Sequence, residues 1–243
     1  MNRYEIGALI IKRLNELGIN QLKKKYAQSS SINYLIIEKV LPNEVALKLN
    51  EYFPKENQLK HLNGPQEKKY VGFNFSDKQK LVEECIYAFQ EESVVKKIGE
   101  ITAIENLIGD PELYAGGISS MSKGCFLNPH IDNSHDRNLE KFRRLNLLYY
   151  VNKDWDSKED GGDLLLYPNG IKNQAEEISC VFNRLVIMRT DNKSLHAVKK
   201  IQSELRRRKC ISNYYFSENS PSGKKYYHST SFIGFKNEFP DAG

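Results

Sequence analysis

Beyond residue 112 the sequence breaks into short runs rich in Tyr, Ile, Val and Leu. ELYAGGISSM, LNLLYYV, GDLLLYP, RLVIMRT and KCISNYYFS follow one another, parted by Gly, Asn, Asp and Pro. Runs of that length and composition predict strands. The chain before them has the opposite grain. Ile6, Ile10, Leu14 and Leu17 recur at helical spacing, with Gly18 placed to end that helix. QSSS at 28–31 reads as a linker, INYLIIEKVL as a strand, and PNEVALKLNEYF as a helix with Pro in its first turn. Residues 54–70 read as a polar loop, and KLVEECIYAFQEESVVKKIGEI as the last helical pattern. Helices first and strands afterwards speak against alternating βα units. They predict an α+β fold in which an antiparallel sheet system carries a helical layer on one side.

The expected organisation is an N-terminal helical segment over 1–30 and one domain over 31–243. Within that domain, helical support covers 31–111, a β core 112–217 and a tail 218–243. At 243 residues with 40% hydrophobic content, the chain can bury a full core without staples. Its net charge of +5 is scattered, with KKK at 23–25 and RRR at 206–208 the densest runs. That favours anionic ligands mildly and lacks the concentrated stripe of a nucleic-acid binder, so no nucleic-acid partner is expected. The four cysteines have no CxxC spacing, which argues against a zinc ribbon or a disulfide framework and fits a reducing cytoplasm. Neither a signal-peptide pattern nor an 18-residue apolar run is present, so no membrane association is expected. Oligomeric state is left open.

LNPHIDNSHD, at 127–136, holds the densest group of potential ligands. If the stretch is extended, His130 and Asp132 project to the same face. An imidazole and a carboxylate suit the two-histidine, one-carboxylate site of non-haem Fe(II), which needs one more histidine. His196, in SLHAV between two apolar stretches, is the best placed of those remaining. The HxD pair by itself is equally what a buried histidine bonded to a nearby aspartate would give. The order of features carries the weight: HxD, an apolar strand, Gly161-Gly162, His196 after a further strand, and an arginine opening the next.

HIDN, LYYVNKDWD, GGDLLLYP, NRLVIMRTD, HAV and RKCISNYYFS occur in an order and spacing that resemble the Fe(II)- and 2-oxoglutarate-dependent dioxygenases of the prolyl 4-hydroxylase superfamily. Within it the chain most resembles the hypoxia-inducible-factor prolyl hydroxylases, over residues 115–217. The resemblance implies a double-stranded β-helix (jelly-roll) core with the N-terminal helices packed on its major sheet. It also implies Fe(II) on His130, Asp132 and His196, 2-oxoglutarate as co-substrate and ascorbate as reductant. The co-substrate's far carboxylate needs a cation, for which an arginine fork is better suited than lysine. Matching RKCISNYYF selects Arg208, with Arg206 as runner-up, and strand alternation puts Cys210, Ser212 and Tyr214 on the Arg208 face. The second Tyr of the pair, Tyr150, would donate to the same carboxylate.

Two departures touch the substrate side. Ser120 stands where relatives carry a tyrosine near the iron, and NSHDRNLEKFRR at 133–144 is inserted after the HxD pair. Asn133, Ser120 and the loop's His135 become candidate substrate contacts, and the insertion is expected to form part of the substrate mouth and to order on binding. The implied activity is hydroxylation of an unactivated C–H bond in a small or biosynthetic substrate such as a sugar or amino acid, with release of succinate and CO2. Peptidyl-prolyl 4-hydroxylation is the alternative, and a non-catalytic β-barrel binding module is the remote one.

Overall fold

The computed structural model describes residues 1–221, 223 and 227–233. Helix α1 (Arg3–Leu17) opens on a reciprocal cap, in which the Asn2 side chain accepts from the Glu5 amide and Glu5 returns the bond to the Asn2 amide. It buries Ile6, Ile10 and Leu14 and stops at Gly18, whose φ of 81° suits glycine. Helix α2 (Ile19–Ala27) adds Leu22 and Tyr26 to the same core, and α3 (Asn43–Tyr52) adds Val45 and Leu49. The last helical pattern is two helices, α4 (Lys80–Ala88) and α5 (Glu92–Thr102), broken at Phe89–Glu91 so that both bury apolar faces. α1 is clamped to α4 by Arg3, whose guanidinium and backbone N–H both donate to the Glu84 carboxylate.

The strands are β1 (Tyr34–Glu38), β2 (Lys60–Asn63), β3 (Glu67–Gly72), β4 (Gly117–Met121), β5 (Phe126–Ile131) and β6 (Phe142–Tyr150). After the short helix α6 (Ser157–Asp160) come β7 (Leu164–Leu166), β8 (Glu176–Ile178), β9 (Arg184–Arg189), β10 (His196–Val198), β11 (Arg208–Ser217) and β12 (Ser231–Phe232). They form one curled antiparallel sheet in the order β1-β9-β6-β11-β4-β3-β5-β10-β7-β8, with β2 pairing β3 and β12 pairing β5. The fold is the α+β arrangement that the sequence predicts, in the jelly-roll form that the resemblance implies.

Alternation explains why this sheet has helices on one side and a site on the other. Leu145, Leu147 and Tyr149 of β6, Leu185 and Ile187 of β9, and Ile211 and Tyr215 of β11 join the helices in one core. The intervening Tyr150, Val186, Met188 and Cys210 turn to the barrel interior, against Leu164, Leu166, Ile178 and Val198 of the facing strands. The period of two thus sorts each strand into a helix face and an interior face.

Residues 54–70 are not the loop that their polarity suggests. Lys60–Asn63 and Glu67–Gly72 form a hairpin, with no residue of either strand fully buried. Sheet edges accept polar strands, and β3 earns its place by pairing with both β4 and β5. No helix among the described residues is long and apolar enough to cross a membrane. All four cysteines are buried and free.

Candidate metal centre

Strand register, rather than proximity in sequence, builds the site. β5 and β10 run antiparallel with His130 directly opposite His196, which brings the imidazole centroids to 4.2 Å. Asp132 follows β5 by one residue and turns back to them. Its Oδ1 lies 3.4 Å from His130 Nε2 and its Oδ2 3.8 Å from His196 Nε2. One ligand atom from each of the three falls within 4.8 Å of the others, and all three residues are buried.

Both rings are oriented by backbone. His130 Nδ1 lies 2.8 Å from the Asn128 carbonyl and His196 Nδ1 2.8 Å from the Ser194 carbonyl. A carbonyl only accepts, so each Nδ1 carries a proton and each Nε2 is the ring nitrogen that faces the cluster. Burial pushes the Asp132 carboxyl up, but His196, His130 and Arg143 together outweigh it and hold the group well below the usual carboxylate range. Burial and His130 bring His196 down to about 4 against the opposing pull of Asp132. Around neutral pH the cluster is therefore one carboxylate beside a neutral His196 imidazole, and the donor set of two imidazoles and one carboxylate fits non-haem Fe(II).

Two further side chains hold Asp132. Asn146 Nδ2 donates to Oδ2 at 3.3 Å, and Arg143 Nη1 lies 3.6 Å from the same oxygen. Asn146 was not singled out in the sequence, whereas Arg143 belongs to the inserted charged run expected at the substrate mouth, within reach of the metal. Asn146 carries a legible signal, being the polar residue at an inward position of LNLLYY. The contact of Arg143 with Asp132 carries none, because its orientation depends on a bulge. Leu145 pairs Tyr215 but Arg143 pairs Phe216, so Arg144 is extra on β6 and the strand's alternation reverses there.

A cavity of about 300 Å³ runs from His130, Asp132 and His196 to Arg208, walled by Met121, Leu148, Leu164, Cys210, Ser212 and Tyr214 among others. Arg208 is buried, and its guanidinium is fixed by bonds from Nε to the Gly162 carbonyl at 2.8 Å and from Nη2 to the Tyr150 hydroxyl at 3.1 Å. Burial raises the Tyr150 phenol far above its ordinary value, so it keeps a proton of its own to donate. Tyr150 is not in the cavity wall but backs Arg208. Ser212 is in the wall, as alternation from Arg208 predicts. Arg206 points elsewhere, donating to Asp160 at 2.7 and 2.9 Å.

The three candidate substrate contacts do not reach this cavity. Ser120 faces away, its hydroxyl 3.4 Å from Glu56, while its neighbours Ser119 and Met121 line the wall. In the β4–β11 register Ser120 lies opposite Lys209 and Met121 opposite Arg208, so Ser120 takes the face turned away from the cavity. Asn133 donates from its side chain to the His135 carbonyl at 3.4 Å. His135 Nδ1 bonds the Asp136 carbonyl, and its ring packs near Tyr114 and Tyr227. The insertion is loop only to residue 141. Phe142, Arg143 and Arg144 belong to β6, and 133–141 is already closed by Arg143 N–H to Ser134 O and by the Glu140 and Lys141 amides on Asp136. Of the tail, His228 exchanges bonds with Ser134, whereas Tyr226 lies outside the described residues.

Residues 116–216 match the 2OG-Fe(II) oxygenase superfamily. The chain is 31% identical over 109 residues to Egl nine homolog 1 of Rattus norvegicus, covering 45% of this chain and 30% of that protein. It is 29% identical over 103 residues to prolyl hydroxylase EGLN3 of Homo sapiens, covering 42% and 40%. The chain thus matches less than half the length of these curated relatives. Among solved structures it resembles a Trichoplax adhaerens prolyl hydroxylase in complex with a hypoxia-inducible-factor peptide, with TM-score 0.61, 20% identity and coverage of 90% of this chain and 94% of that one. It also resembles a Pseudomonas putida prolyl-4-hydroxylase, with TM-score 0.60, 15% identity and coverage of 82% and 98%. HygX of Streptomyces hygroscopicus, solved with nickel, 2-oxoglutarate and hygromycin B, matches with TM-score 0.51 and 12% identity over 77% of this chain and 84% of that one.

Proposed function

We propose that this chain, whose residues 116–216 match the 2OG-Fe(II) oxygenase superfamily, is an Fe(II)- and 2-oxoglutarate-dependent dioxygenase that hydroxylates a C–H bond of a small or biosynthetic substrate. The observation that carries the reading is the convergence of His130, Asp132, His196 and Arg208 on one buried cavity. When bound, Fe(II) and 2-oxoglutarate with dioxygen supply the oxidising chemistry, releasing succinate and CO2.

The chain's own residues divide the remaining work. His130, Asp132 and His196 would hold the metal through two Nε2 atoms and a carboxylate from one side, leaving its other side open. Arg208, braced by the Gly162 carbonyl and from behind by the Tyr150 hydroxyl, would receive the far carboxylate of the co-substrate. Met121, Leu148, Leu164 and Cys210 exclude water from that carboxylate, which strengthens the pairing. Asn146 and Arg143 keep Asp132 ionised and aimed.

A small substrate is favoured by a second, charged cavity of about 480 Å³ that shares Asp132 in its wall. The peptide alternative draws on the similarity to prolyl hydroxylases, one of them solved with a hypoxia-inducible-factor peptide. Purified protein with Fe(II), 2-oxoglutarate and ascorbate is expected to form succinate, faster with its true substrate. A library of amino acids, sugars and proline-containing peptides should show stimulation by a metabolite. Stimulation by peptides alone would move the substrate to the alternative class, and no succinate under any condition would reject the oxygenase.

A further inference from the structure

The second cavity has a feature that holding Asp132 does not explain. Arg143 is 2% exposed, yet among the described residues its Nε and Nη2 have no hydrogen-bond partner, and only Nη1 approaches Asp132, at 3.6 Å. Its guanidinium lies over the Tyr214 ring at 3.9 Å, which fixes the plane and offers no acceptor. Leaving two charged donors buried and unpaired costs more than most folds tolerate. The bulge at Arg144 is what turns Arg143 inward, and bulges beside sites commonly serve to re-aim one side chain.

Thr190 stands in the same wall, 2% exposed, and its hydroxyl also lacks a partner among the described residues. The charges around the space are unequal. Arg143, Arg189 and Lys193 face Asp132 and Asp191, but Arg189 Nε is paired with Asp191 at 2.8 Å and Asp132 belongs to the metal cluster. Arg143 and Lys193 remain as surplus positive charge beside a buried hydroxyl.

We propose that this cavity is an oxyanion subsite for the primary substrate, with Arg143 and Thr190 as its anchors. The inference rests on the oxygenase reading and deepens it. A carboxylate or phosphate takes the unpaired guanidinium N–H groups and the Thr190 hydroxyl, and Lys193 adds charge at the rim. Because Arg143 touches Asp132, the anion sits close to the metal cluster, so the carbon attacked lies only a few bonds from it. The two sources of such an anion are a carboxylic acid and a phosphomonoester.

The test uses the full chain loaded with redox-silent Mn(II) and saturated with 2-oxoglutarate, titrated calorimetrically with sodium acetate and, separately, inorganic phosphate. Saturable binding of one probe that leaves 2-oxoglutarate in place is expected. It should weaken at least tenfold in Arg143→Gln and severalfold in Thr190→Val, and persist in Arg206→Gln, whose side chain is paired with Asp160. Acetate binding identifies a carboxylic acid and phosphate binding a phosphomonoester. Absence of binding by either probe, displacement of 2-oxoglutarate, or unchanged affinity in Thr190→Val would overturn the subsite, even if Arg143→Gln fails to fold. Failure of the wild type to bind 2-oxoglutarate at all would instead reject the oxygenase reading, and the subsite with it.

Discussion

At the scale of single residues, the site depends on a few atoms whose partners are fixed before any ligand arrives. His196 presents Nε2 because Ser194 holds Nδ1. His196→Ala removes one of three donors from a buried cluster. We expect it to abolish stoichiometric Fe(II) binding and succinate formation while circular dichroism stays unchanged, and full iron occupancy in the variant would contradict the ligand assignment. Arg208→Ala should act on the co-substrate alone. Leaving a desolvated carboxylate unpaired costs about 2–5 kcal/mol, or roughly 30-fold and upward in the KM for 2-oxoglutarate. Arg206→Ala is expected to leave that KM near wild type, since its partner is Asp160. The reverse order of effects would mean that the β11 assignment is wrong by two residues.

At the scale of elements, two joints decide whether the residues meet. The first is Gly161-Gly162, where the chain turns from α6 into β7 with φ of 70° and 76°. A Cβ on Gly162 would lie 2.7 Å from Ile201 and 3.1 Å from both Arg208 and Trp155. Gly162→Ala therefore pushes against the side chain that its own carbonyl orients. A raised KM for 2-oxoglutarate with a lower melting temperature is expected, and an unchanged KM would show that Arg208 is held without Gly162. The second joint is Arg3–Glu84, between α1 and α4. Hydrogen bonds from Arg3 bring the buried Glu84 carboxyl down to about 2. Its folded value lies below its unfolded one, so the pair stabilises fully above about pH 5 and the contribution fades as the pH falls toward about 2. Glu84→Gln should cost on the order of 2 kcal/mol in urea denaturation at pH 7, with the difference from wild type shrinking below about pH 4. A constant difference across that range would show that charge is not what joins the helices.

At the scale of the whole molecule, the helical half serves as the outer wall of the barrel, and Ile6, Ile10, Leu14, Leu22 and Tyr26 share one core with the sheet's Leu147, Tyr149 and Ile211. Deleting residues 1–27 should therefore expose α4, α5 and the sheet face, and leave the remainder insoluble or rapidly proteolysed. A truncated chain that stayed folded and bound Fe(II) would make 1–30 a separable unit. How much of this was legible follows from the range of each interaction. Periodicity is local, so the strands of the β half, α1, α3 and the inward set Arg208, Cys210, Ser212 and Tyr214 could be read directly from the sequence. The His130–Asp132–His196 cluster was legible because HxD has the strand period, few histidines compete for the third place, and the order of the surrounding features carries the resemblance. Tertiary structure alone decided the rest. The polar hairpin at 60–72 becomes sheet because β4 and β5 offer it an edge. Ser120 faces outward because its strand pairs it with Lys209 of β11, on the face away from Arg208. Arg143, unremarkable inside a charged run, becomes a buried neighbour of Asp132 because β6 bulges against β11. Each of these depends on which residue of one strand lies opposite which residue of another. That register is set by packing between distant segments, so no local pattern records it.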